Sequence, residues 1–114
     1  MIERRKHQRY KTHILAGYKR LDSPISAWQA EAEVKNISLR GMLFSAYEKM
    51  PVETPLLLKM QIFIEDSTAA MVELHGRVVG VEDGIISYDT RVEFTDVDNL
   101  TKTKLRQFID YISR

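Results

Sequence analysis

The sequence predicts a mainly β fold: a six-stranded antiparallel β-barrel with a C-terminal α-helix and a flexible basic N-terminal arm. Three observations carry that expectation. Apolar and polar residues alternate with period 2 through most of the chain, as strands with one wet and one dry face require. Clusters of turn-forming residues interrupt the alternation at short intervals. After Phe94 the apolar period lengthens to that of a helix.

The elements follow in order. Residues 1–11 make the arm, 12–96 the barrel and 97–114 the closing helix. "THILAGYKRL" supplies a first strand, ended by "DSP" at 22–24. In "WQAEAEVKN", Trp28, Ala30, Ala32 and Val34 share the dry face, opposite Gln29, Glu31, Glu33 and Lys35. "NISLRG" (36–41) turns the chain into "GMLFSA", and "EKMPVETP" (48–55) turns it again. "LLLKMQIFIE" then points Leu56, Leu58, Met60, Ile62 and Ile64 one way. Past "EDSTA" (65–69), "VELHGRVVG" sets Val72, Leu74 and Val78 against Glu73, His75 and Arg77. Past "EDG" (82–84), "ISYDTRVEF" sets Ile86, Tyr88, Val92 and Phe94 against Asp89, Arg91 and Glu93. Leu105, Phe108, Ile109 and Ile112 then follow i, i+3, i+4, i+7 spacing, with Asp96 or Asp98 available as the N-cap. So short a helix is unstable alone in water, so its stripe is expected to cover an open end or side of the barrel.

Composition narrows the function. At 114 residues, 44% hydrophobic and 29% charged, the chain fits one folded domain and not a disordered segment. With 0 Cys there is no disulfide, no thiolate nucleophile and no cysteine-based metal site, which suits a cytoplasmic protein. No apolar run reaches the ~20 residues that span a bilayer. The first residues have no apolar secretory core, so they read as a mature N-terminus. His7, His13 and His75 lack metal-ligand spacing, and neither a nucleophile elbow nor a phosphate-binding loop occurs. Carboxylates such as Glu31, Glu33, Glu73 and Glu93 lie on wet strand faces, where a catalytic pKa is not expected. The expectation is a protein that binds and does not catalyse, with no metal and no cofactor.

The charge is uneven. Residues 1–20 carry seven cations against Glu3, a net +6, which leaves −5 for the remainder of a chain whose total is +1. Positive charge this local implies a local anionic target. Within the arm, "RKHQR" spaces Arg5 and Arg9 by four residues, with Arg4 beside them. Guanidinium groups can fork onto a phosphate or the O6/N7 edge of guanine, and can stack on a purine. An R-x-x-x-R pair arises by chance about 0.7 times in such a composition. The pattern [DN]-x-S-x-x-G, present as "NISLRG", arises about 0.02 times and discriminates far better. Asn36 offers an amide, Ser38 a hydroxyl, and Gly41 either a positive φ or a close approach. An Asx-type turn, with Ser38 bonding locally, is the plainer reading of the same residues.

The pair of motifs, in this order and separated by a strand, resembles the PilZ domain, a family of bacterial receptors for cyclic di-GMP. "HGRVVGVED…YDTRVEFTDVD" is similar to the family's last strands running into its closing helix, so the resemblance covers nearly the whole chain. It implies that Arg5 and Arg9, assisted by Arg4, clamp guanine edges and phosphates. It implies further that Asn36 accepts from the guanine N1/N2 edge, that Ser38 hydrogen-bonds the ligand, and that Gly41 leaves room for it. Asn36 stands where many members carry Asp. The expected function is a cyclic di-GMP receptor whose arm orders on the ligand and presents an altered surface to a downstream protein, as a monomer or homodimer. Two alternatives stand beside it: a small barrel that binds nucleic acid, and a PilZ-like interaction scaffold that binds no cyclic di-GMP. Against the first, the wet faces are acidic and repel phosphates.

Overall fold

The computed structural model describes residues 10–24, 27–65 and 68–113. Among the described residues are seven strands and one helix: β1 (Tyr10–Lys11), β2 (Leu15–Arg20), β3 (Gln29–Ile37), β4 (Gly41–Ala46), β5 (Pro55–Glu65), β6 (Thr68–Asp83), β7 (Tyr88–Thr95) and α1 (Asn99–Ile112). All pairings are antiparallel, in the order β1-β3-β2-β5-β6-β7-β4, and a β3–β4 pairing closes the ring. The closed barrel therefore has the six strands β2 to β7, and β1 is an addition on β3.

β2 falls within the expected first strand, and β1 precedes it. Both lie along the same edge of β3, β1 beside Asn36–Ile37 and β2 beside the first half. Residues 12–14 link the two strands: the Thr12 N–H donates to the Lys35 carbonyl at 3.3 Å, the Ile14 carbonyl accepts from the Val34 N–H at 3.0 Å, and the Thr12 hydroxyl accepts from the Ile14 N–H at 3.3 Å. Tyr10 and Lys11, inside the segment assigned to the arm, are thus paired with β3. Arg4, Arg5 and Arg9 lie outside the described residues.

Alternation places the core as read. Leu56, Leu58, Met60 and Ile62 of β5, Val72, Leu74 and Val78 of β6, and Val92 and Phe94 of β7 are buried. Two residues depart from it. Trp28 is 42% exposed, because β3 begins one residue later and Glu31 sits at φ 62°, which resets the phase before Ala32. Its indole rests over the bare backbone of Gly17, with the Lys59 ammonium 5.9 Å from the ring centre. Ile86 is also exposed, since β7 starts only at Tyr88 and Ile86 belongs to the hairpin before it.

Asp98, not Asp96, is the N-cap: its carboxylate accepts from the Thr101 N–H at 2.7 Å. That bond holds the Asp98 carboxyl below the usual carboxylate range. Leu105, Phe108 and Ile109 are buried and belong to the same apolar cluster as the barrel interior. The outward residues Lys59, Gln61, Glu73 and His75 of β5 and β6 remain exposed. The helix therefore closes an end of the barrel against β5 and β6 and leaves their outer flank open. Phe108→Ala is expected to cost about 3–5 kcal/mol, read as a lowered urea midpoint. An unchanged midpoint would detach the helix from the core.

Candidate functional site: a polar corner between β3 and β4

The β3–β4 connection is built around one hydroxyl. Ser38 is 3% exposed, and its Oγ accepts from the Arg40 N–H at 3.2 Å and the Gly41 N–H at 3.3 Å. The same hydroxyl donates to the Gly41 carbonyl at 3.3 Å, which also accepts from the Ser38 N–H at 2.8 Å. A hydroxyl donates once and accepts twice, so the turn uses its whole capacity. Of the two roles open to Ser38 from sequence, the local one is what the geometry displays.

Gly41 likewise serves the fold. Its φ is not positive. A Cβ there would collide with the Val92 carbonyl oxygen of β7, so the missing side chain admits a neighbouring strand. The Arg40 carbonyl, one residue earlier, accepts from the Phe94 N–H at 2.7 Å and ties the corner to the same strand.

Asn36 owes its position to a bulge. Val34 pairs with Phe44 and Asn36 with Leu43, so the register slips across Lys35. Val34 and Ile37 are fully buried, while Lys35 and Asn36 between them are both half-buried. Two successive side chains thus share the outer face, which strict alternation forbids. The Lys35 ammonium meets the Asp89 carboxylate of β7 at 2.8 Å, and that hydrogen bond raises the Lys35 pKa. On the other side of Asn36 lies Lys11 of β1.

The corner continues across the barrel. Asn36 pairs with Leu43, Leu43 with Arg91, and Arg91 with Gly80, forming one outward row over β3, β4, β7 and β6. Leu43, Gly80, Val81, Glu82, Asp89 and Arg91 line a recess of about 180 Å³. Sequence reading placed Arg91 on a wet face but gave no reason to join it to Asn36, since register is not written in either segment alone. A larger recess, about 570 Å³, lies near the start of α1, lined in part by Glu73, His75, Asp96 and Asp98. Its carboxylates disfavour an anion. Among the described residues, no group of three or more His, Asp or Glu is placed to hold a metal.

The fold and this corner define a class, the small closed barrel with a basic leader, and comparison with known proteins identifies the family. The PilZ domain profile matches residues 3–111, and the chain belongs to the PilZ family. No curated protein matches the sequence. Among solved structures, the PilZ domain of YcgR from Escherichia coli, determined with c-di-GMP, is similar with TM-score 0.75 at 14% identity, covering 98% of this chain and 93% of that one. MotI/DgrA of Bacillus subtilis, an inhibitor of motility, gives TM-score 0.74 at 14% identity over 96% of this chain and 51% of its own. The MrkH–c-di-GMP complex of K. pneumonia gives 0.62 at 13% identity over 96% and 51%. This chain spans about half the length of the latter two, and at these identities the likeness is one of fold.

The corner generates a paired expectation. Ser38→Ala removes an acceptor shared by two backbone N–H groups and should cost about 1–3 kcal/mol without any ligand. Gly41→Ala, which forces β4 from β7, should cost at least as much, about 1–3 kcal/mol or more. Urea unfolding of the ligand-free variants measures both. A Ser38→Ala protein of parental stability that fails to bind ligand would return Ser38 to direct contact.

Proposed function

We propose that this chain is a cyclic di-GMP receptor, its site formed where the arginine leader meets the β3–β4 corner. The observation that carries the reading is β1. Tyr10 and Lys11 lie in register beside Ile37 and Asn36, so the residue following Arg9 is fixed at the motif. Covalent reach alone lets Arg5, five residues before Tyr10, act within about 18 Å of it. On this reading the arginine motif, joined directly to Tyr10, acts within reach of Asn36 although a strand separates the two in sequence.

The roles follow from chemistry. Arg5 and Arg9, with Arg4, supply forked donors for the phosphates and for the O6/N7 edges of guanine. Asn36, raised onto the outer face by the bulge, offers its amide to the N1/N2 edge. Ser38 and Gly41 act one step back: the hydroxyl fixes the turn, and the missing side chain lets β4 and β7 close beneath the ligand. The reading gains support from family membership and from the c-di-GMP bound by the YcgR domain and by MrkH.

Within residues 1–11, Arg4, Arg5, Lys6, Arg9 and Lys11 outweigh Glu3 and repel one another, and a ligand with two phosphates relieves that repulsion. Binding would then order the leader across the corner and change the surface shown to a downstream protein. Titration calorimetry tests this. The parent should bind cyclic di-GMP, and Arg5→Ala or Arg9→Ala should each lower affinity at least tenfold, about 1.4 kcal/mol, within the range of a charge-assisted hydrogen bond. Near-parental binding by both variants would refute the clamp. A parent whose melting temperature ignores excess cyclic di-GMP would favour the non-binding scaffold.

A further inference from the structure

We infer that the recess around Arg91 is a seat for one guanine base, with Arg91 as a base-reading residue that neither sequence motif contains. This rests on the cyclic di-GMP reading and extends it to a place two strands from Asn36. Adjacent strands lie ~4.8 Å apart, so Asn36 and Arg91 are separated by about 10 Å with only Leu43 between them. The recess and the motif belong to one continuous outer face.

The lining suits a purine. Leu43 is half-buried and apolar and offers a surface for the flat face of a base, while Val81 packs its side chain against the core and borders the recess from β6. Gly80 adds bare backbone beside them: a Cβ there would meet only the Arg91 Cβ, at 3.9 Å, so the space above it is open. A register slip between Val78 and Gly80 aligns that opening with Arg91.

Arg91 is also left available by its neighbours. The carboxylates two residues away on β7 are both engaged elsewhere: Asp89 holds Lys35 at 2.8 Å, and Glu93 takes Arg77 at 3.4 Å. Among the described residues Arg91 itself forms no ion pair. An exposed guanidinium kept out of both nearby pairings can fork onto guanine O6 and N7. Glu82, on the same face of β6 and in the same recess, can accept from the N1–H and N2–H donors. Adenine keeps the N7 acceptor but has an amino donor in place of O6 and an acceptor at N1, so it loses the two-pronged contact with Arg91 and the N1–H and N2–H donors to Glu82. The seat is therefore guanine-selective as well as attractive.

Calorimetry on the full chain decides it, with cyclic di-GMP and cyclic di-AMP as probes. The variants are Arg91→Ala, Arg91→Lys and Glu82→Gln, with Arg106→Ala as a control for losing one exposed helix cation far from the recess. Arg91→Ala should weaken cyclic di-GMP about 5- to 150-fold, the range of one bidentate base contact, and should narrow the preference over cyclic di-AMP. Arg91→Lys should not restore it, because an ammonium lacks the fork. Glu82→Gln should weaken cyclic di-GMP in the same direction. Arg106→Ala should bind like the parent. Circular dichroism confirms folding of each variant.

Three results would overturn the inference: parental affinity in Arg91→Ala, equal weakening toward both dinucleotides, or full rescue by Lys. A parent that binds no cyclic di-GMP would instead overturn the receptor reading beneath it, and the seat with it.

Discussion

β4 can lie against β7 only because nothing projects from Gly41 toward the Val92 carbonyl. That contact brings the sixth strand into register from Gly41↔Glu93 to Ala46↔Tyr88 and so closes the barrel. A closed ring has no open edge along its length to leave backbone groups unsatisfied. The corner, the bulge and the outward row all sit beside this closure. Without it, Asn36 and Arg91 would belong to separate edges and not to one surface.

The same closure explains why the signature residues differ in kind. Gly41 and Ser38 look like ligand groups in a motif, yet both are spent on the turn, one by its missing side chain and the other by three hydrogen bonds. Asn36 and Lys35 face outward because the bulge turns both to the surface. A short pattern can thus hold a scaffold and a site together. The scaffold half fixes the geometry, and the other half stays on the outer face.

Charge is arranged to leave that face receptive. The body is acidic overall, and several of its carboxylates are consumed in pairs: Asp89 with Lys35, Glu93 and Glu53 with Arg77, Asp22 and Glu48 with Arg20. Such exposed pairs add little stability. Their larger effect here is local, since they lower the negative potential beside the corner and leave Arg91 uncommitted.

The sequence by itself determined which residues go inward along most strands, where the chain turns, and that the last segment is an amphipathic helix. Those properties follow from local periodicity, and Leu58, Val92 and Phe108 obey it. It also specified the chemistry of the corner, because "NISLRG" is contiguous. Periodicity misled at Trp28, where a positive φ at Glu31 broke the phase, and at Ile86, where a hairpin replaced the strand. Only the tertiary structure decided that β1 lies beside Asn36, that the Ser38 hydroxyl is fully used, and that Arg91 joins Asn36 across β4. Each of these depends on strand register, a relation between distant segments that no single segment encodes.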